Sequence, residues 1–206
     1  MKARGSYAKG VAKRDEILTT ALDVIARNGY RKTSIRDLAA AVGLSQTGLL
    51  HYFGTKEELF AAVLRKRDEI DGGGFLVIDE ANEVSFPDGD ASATDDIIEV
   101  IARVVKHNAE VPGLVQLYAQ FSTEAAESGH PAQAYFRKRY EAFRAAVAGA
   151  IRAKQEAGEL STSLDAVLSA TLLAAAIDGL QTQWMLDDSI DMVANVEYLW
   201  ARLTAP

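Results

Sequence analysis

Within SQTGLLHYFGTK, residues 45–56, the hydrogen-bonding side chains of Gln46, Thr47, His51, Tyr52 and Lys56 are interleaved with Leu49, Leu50 and Phe53. Covalent or metal chemistry finds little support there. His107 and His130 are far from His51 in sequence, and the chain has no cysteine, so disulfides and cysteine-based metal or nucleophile sites are excluded. The chain also carries no nucleophile elbow, paired-histidine motif or phosphate loop. What these residue types can do is recognise. At about 100° per residue, Leu49 and Phe53 share one side of a short helix. Thr47 and His51 fall almost opposite, Gly48 and Leu50 lie on the flanks, and Gln46 is near the start.

A helix that short needs neighbours to hold it. In RDEILTTALDVIARNGY, apolar residues recur at helical spacing up to Gly29. In TSIRDLAAAVG, Thr33 or Ser34 can cap, Asp37 follows Ser34 by three, and Ile35, Leu38, Ala39 and Val42 form one stripe. Gly43 suits a left-handed corner, Ser45 can cap the next helix, and Thr55 with Glu58 forms a capping box opening another. Leu18, Ile25, Leu38, Val42, Leu49, Phe53 and Phe60 are the expected shared core. Small Ala39 four residues before Gly43, with Leu44 and Leu49 beyond, is the spacing of a helix-turn-helix, whose second helix enters the DNA major groove. On that helix a Gln reads adenine edges, a Thr offers hydroxyl and methyl, Leu50 can touch a thymine methyl, and Gly48 permits close backbone approach. An ordinary exposed helix face is the bland alternative. His51 can donate to a base or phosphate, or simply pack; Tyr52 has the same two options. Lys56 is placed to clamp a phosphate beside free backbone N–H groups.

Charge agrees with this reading. The net charge is −7, yet residues 1–67 carry 13 Lys or Arg against 6 Asp or Glu, and the remainder 9 against 23. A basic head on an acidic protein suggests that the head alone meets a polyanion. Lys2, Arg4, Lys9, Lys13 and Arg14 form a basic arm over residues 1–13 and the start of the first helix. Such an arm reaches the minor groove or backbone, or is a disordered terminus.

TSIRDLAAAVGLSQTGLLHYFGTKEELFAAVL resembles the DNA-binding head of the TetR family of bacterial transcriptional regulators, closely over residues 14–64. The resemblance implies a homodimer with recognition helices in successive major grooves, usually repressing until a small ligand binds. It implies DNA contacts at Thr33 or Ser34, Arg36, Ser45, Gln46, Thr47, Gly48, His51, Tyr52 and Lys56. Where Leu50 stands, many members have a tyrosine, so that hydroxyl contact is missing here unless Tyr52 replaces it.

The head is expected over 14–67. Residues 68–94, rich in Gly and Asp, form a linker or loop, with Phe75–Ile78 able to dock locally. From Asp95 the pattern is helical: a stripe at Ile97–Val105, a helix opening at Pro112, one from near Pro131 to Gly158, one from Leu164 to about Leu186, and one from Met192 to Leu203. No useful strand-period segment occurs. The expected fold is all-α, an N-terminal three-helix helix-turn-helix domain followed by a helical ligand-binding and dimerisation domain over 95–206. SLDAVLSATLLAAAIDGLQTQWML is apolar on nearly all sides, so one side can meet a core and the other a second subunit. Leu168, Leu172, Ala175, Val196 and Trp200 are the candidate interface; a central helix of a single bundle is the alternative. Tyr118, Phe121, Asp178, Gln181 and Trp184 mix apolar lining with polar anchors and are candidates for an effector cavity, although core packing explains them as well. Asp178 can pair with Arg103 or Lys106, or anchor a polar group. The expected partners are double-stranded DNA, a second copy of the chain and a small-molecule effector. No cofactor or metal is expected, and no enzymatic activity. Without an apolar leader or a bilayer-length apolar stretch, a cytoplasmic protein is expected, with no membrane partner. The runner-up is a protein-interaction adaptor with a DNA-binding head.

Overall fold

The computed structural model of the chain describes residues 3–70, 77–78, 81, 84–85 and 97–205. Lys2, the glycines at 72–74, and Phe75 and Leu76 lie outside the described residues. The order is α1 (Ala3–Asn28), a single 3-10 turn at Tyr30–Lys32, α2 (Ile35–Ala41), α3 (Gln46–Leu50), α4 (Lys56–Ile70), β1 (Val77–Ile78), β2 (Val84–Ser85), α5 (Ile97–Glu110), α6 (Pro112–Glu124), α7 (Gln133–Glu156), α8 (Ala166–Trp184) and α9 (Met192–Leu203). The architecture is all-α, with one small departure inside the expected linker. There β1 and β2 pair antiparallel, Val77 opposite Ser85 and Ile78 opposite Val84. Their β-branched residues favour extended backbone, but two residues are too few to show an alternating pattern.

Backbone contacts divide the chain into two units, residues 1–70 with 111–133, and residues 71–110 with 134–206. The first is the head plus α6, a helix that lies in sequence within the expected 95–206 segment. Physical contact explains the difference. A Cβ built on Gly113 would lie 2.1 Å from the carbonyl oxygen of Ile25, so only glycine lets α6 approach α1 this closely. One side of α6, with Leu114, Leu117, Tyr118 and Phe121, is buried. Phe121 meets Tyr30 and Phe60 edge-to-face, with centroids 5.9 and 5.7 Å away, and Tyr30 and Phe60 are 5.1 Å apart. Such pairs contribute about 0.5–1.5 kcal/mol each beyond burial. All seven residues expected in the head's core are buried. Lys66 of α4 ties to α1 through Asp15 at 2.6 Å, which raises its ammonium pKa.

The basic arm is not separate from the first helix. α1 already begins at Ala3, and its single run of 26 residues has no proline to interrupt it. It stops at Gly29, whose φ of 80° is accessible to glycine and whose N–H donates to Ile25 O at 2.9 Å. In the second unit α9 packs on both α8 and α5. Asp165 and Asp191 cap α8 and α9 by accepting backbone N–H groups.

Substituting Gly113→Ala should lower stability by about 1–3 kcal/mol, because backbone must move to admit the methyl. Gly149→Ala, on the exposed side of α7 with nothing within 4 Å of the new Cβ, should instead raise it by about 0.5–1 kcal/mol. Thermal melts of both variants check the contrast. Burial, then the charges of Glu124 and Glu57, push the Tyr30 phenol from 10.0 up to about 12. The neutral phenol is thus favoured in the folded state, and its contribution is complete below pH 10.0 and lost as pH rises through about 12. An alkaline titration followed by tyrosinate absorbance should show one late phase, absent in Tyr30→Phe.

Candidate nucleic-acid interface

Two capped helices and a glycine corner fix the site. Ser34 caps α2 as half of a reciprocal box. Its Oγ accepts the Asp37 N–H at 3.2 Å, its N–H donates to Asp37 Oδ2 at 3.0 Å, and its hydroxyl donates to the same oxygen at 2.6 Å. The bond from the Ser34 side chain, then that from its backbone, holds the Asp37 carboxyl below the ordinary range. Thr33 is the other residue that could have capped, but it is buried at 5% exposure and its hydroxyl donates to Gly29 O at 2.9 Å. Thr33 therefore departs from the expected DNA contacts: its hydroxyl serves the α1–α2 turn.

At the corner, Leu44 N–H donates to Ala39 O at 2.8 Å and Gly43 N–H to Ala40 O at 3.1 Å, with Gly43 at φ 68°. This is a Schellman ending, which closes the last carbonyls of α2 before the chain turns. Lys13 Nζ adds a bond to Val42 O at 3.2 Å and pairs with Glu16 at 2.8 Å, and the Arg14 guanidinium lies 4.6 Å over the Phe53 ring. Two cations expected in the DNA-reaching arm thus brace the corner and the recognition element. No local pattern announces Lys13 as a cap, because its acceptor is 29 positions away.

α3 follows with Ser45 as its cap, its Oγ accepting Gly48 N–H at 3.0 Å. Leu49 is 0% and Phe53 7% exposed, whereas Gln46, Thr47 and His51 are exposed on the other side. Gly54 closes the helix by donating to Leu50 O at 2.7 Å with φ 82°. Thr55 and Glu58 then form the reciprocal box expected at the start of α4, at 2.9 and 3.0 Å. Lys56 is exposed there, its Nζ 5.5 Å from the Phe60 ring centroid. Arg36 is exposed, and Tyr52 is half-buried with its ring 6.2 Å from that of His51. Gln46, Thr47, Leu50, His51 and Gly54 together line an open concavity. Its lining sets the polar side chains of Gln46, Thr47 and His51 beside the apolar one of Leu50, which suits base edges.

The other expected sites divide differently. Tyr118 and Phe121 belong to the first unit; Tyr118 sits under the Arg67 guanidinium at 5.6 Å and Phe121 inside the aromatic cluster. Asp178, Gln181 and Trp184 belong to the second, so the five do not form one set within a single unit. Asp178 accepts a hydrogen bond from the Tyr140 hydroxyl. Burial raises its carboxyl pKa, against the opposing pull of that bond and of the Arg139 charge. Gln181 is buried and Trp184 half-buried. Of the interface candidates, Leu168 and Leu172 are 62% and 55% exposed, Ala175 is exposed and Trp200 half-buried. Val196 departs from expectation at 0% exposure: it is spent on its own unit's core. Val167 and Tyr198 are exposed apolar residues that the sequence reading did not single out.

A polar helix face raised on buried anchors, directly after a glycine corner, defines a helix-turn-helix DNA-binding protein. Residues 17–63 match the family described as "Bacterial regulatory proteins, tetR family", and residues 94–203 match "BetI-type transcriptional repressor, C-terminal". The chain belongs to the TetR family of bacterial transcriptional regulators. It is 40% identical over 67 residues to the HTH-type transcriptional regulator RutR of Escherichia coli (strain K12), a match spanning 32% of each chain. The fold is similar to that of the transcriptional regulator FadR from Bacillus subtilis in complex with stearoyl-CoA, with a TM-score of 0.63, 20% identity, and 92% and 96% of the two chains covered. It is also similar to AibR in complex with isovaleryl coenzyme A and operator DNA, with a TM-score of 0.59, 18% identity, and 94% and 99% covered. Among the described residues no helix is long and apolar enough to cross a membrane.

Capping and readout separate cleanly by mutation. Ser34→Ala should cost about 0.5–2 kcal/mol of stability, whereas Thr47→Ala on the exposed face should stay within about 0.5 kcal/mol of the parent. Denaturant titrations of the two variants measure the difference.

Proposed function

We propose that the protein is a homodimeric repressor that binds a near-palindromic operator and releases it when a small molecule occupies the helical C-terminal domain. The observation that carries the reading is the exposure of Gln46, Thr47 and His51 on a helix whose Leu49 and Phe53 are buried. Ser34, Arg36, Ser45, Gly48, Leu50, Tyr52 and Lys56 complete the DNA-facing set, with Lys56 taking a phosphate and Gln46 and Thr47 taking base edges. One short helix reads few base pairs, so two heads about 34–36 Å apart are needed for a specific site. The exposed apolar residues Leu168 and Leu172 on α8 support a partner of the same kind. Ligand acts by favouring a conformation with poor affinity for the operator. The stearoyl-CoA and isovaleryl coenzyme A in two structural relatives support a small-molecule effector here, with Asp178, Gln181 and Trp184 as its candidate contacts. A DNA-bound regulator of this kind works in the cytoplasm.

The test is a mobility-shift titration of the full chain against its own upstream region. Two chains per duplex should bind, with affinity falling steeply as salt rises. Lys56→Ala should weaken binding to every sequence and reduce the salt slope by about 1 for each Lys56 engaged. Gln46→Ala should mainly change which sequence is preferred. Failure to bind any duplex at low salt would remove the repressor reading.

A further inference from the structure

Of the residues that line the concavity on α3, Leu50 has the one wholly apolar side chain. Leu50 lies one helical turn beyond Gln46 and Thr47, and all three line the concavity with His51 and Gly54. Most of Leu50 is covered by the protein, so its position is held while the remainder opens outward. Gly54 lies beside it because the Gly54 N–H donates to Leu50 O at 2.7 Å. Gly54 contributes no side chain, and its φ of 82° makes any other residue strained there. The apolar surface of Leu50 is therefore bordered by bare backbone on one side and by polar groups on the other. Pressed against a base edge that offers only donors or acceptors, this surface would strip water from them and return nothing. The major-groove feature that fits it is a methyl group on pyrimidine C5.

We propose that Leu50 is a specificity-determining residue that reads a 5-methylpyrimidine, thymine or 5-methylcytosine, in each half of the operator. The inference rests on the DNA-binding reading above and deepens it by naming the chemical group that the concavity selects. Gln46 and Thr47 then address the hydrogen-bonding atoms of that base or its neighbours, and Leu50 supplies discrimination that they cannot. Removing one buried methyl corresponds to about fourfold in affinity.

The experiment starts from duplexes that the full-length protein selects out of a random library. Each thymine is replaced in turn by uracil, which differs only in lacking the methyl. One position per half-site should lose about fourfold in affinity, and the loss should vanish in Leu50→Ala and persist in Leu50→Met. At the same position, 5-methylcytosine should bind tighter than cytosine by a similar factor. A selected site with thymine there identifies thymine as the source. A selected site with cytosine there whose affinity rises about fourfold on methylation identifies 5-methylcytosine, and either outcome supports the proposal. Tight, sequence-selective binding in which neither a thymine-to-uracil change nor methylation of a cytosine matters, or a methyl effect that survives in Leu50→Ala, overturns it while leaving the regulator reading intact. A protein that selects no duplex at all defeats both.

Discussion

The recognition surface depends on the burial of Leu49 and Phe53 beneath a helix of only five residues. A segment that short has no stability of its own in water, because nucleating a helix costs more than one turn of hydrogen bonds returns. Its shape is borrowed from the layer below. Burying two such side chains contributes about 1.5–3 kcal/mol each, and the Ser45 cap and the Gly43 corner fix where the helix starts. The exposed residues are free to be polar because none of them is needed to hold the helix in place. The anchors lie on one face and the exposed polar side chains on the other.

Electrostatics follow a similar division of labour. The head owes its positive balance to 13 Lys or Arg, but Lys13, Arg14 and Lys66 make contacts inside the unit. Internal pairing does not change the net field that draws a polyanion from a distance. It does reduce the number of side chains able to reach a phosphate. Cations such as Arg36 and Lys56 are exposed and add to that field, whereas the braced ones add rigidity as well.

How much of this could be seen in the sequence depended on the range of the signal. Caps, the glycine corner and the Thr55–Glu58 box are local: donor, acceptor and φ requirement lie within a few residues, and each was legible. So was the core face of α3, which periodicity alone assigns. Thr33 and Ser34 are both cap-type residues that the sequence leaves as alternatives, and only the satisfied carbonyl of Gly29 distinguishes them. Val196 was misjudged because an apolar stripe does not say which of two apolar faces meets the unit's own core. The packing of α6 on the head carries no local signal at all. It rests on Gly113 meeting Ile25 and on Phe121 meeting Tyr30 and Phe60, contacts between distant stretches that leave no periodic trace.

That packing bears on how such proteins can be cut and recombined. The first compact unit is not one continuous stretch: the chain leaves it at residue 70 and returns for 111–133. A fragment ending at the linker would carry the recognition helix but would bare the rings of Tyr30 and Phe60 to solvent. Grafting this helix-turn-helix onto another domain therefore requires two seams, with α6 travelling alongside the piece it covers.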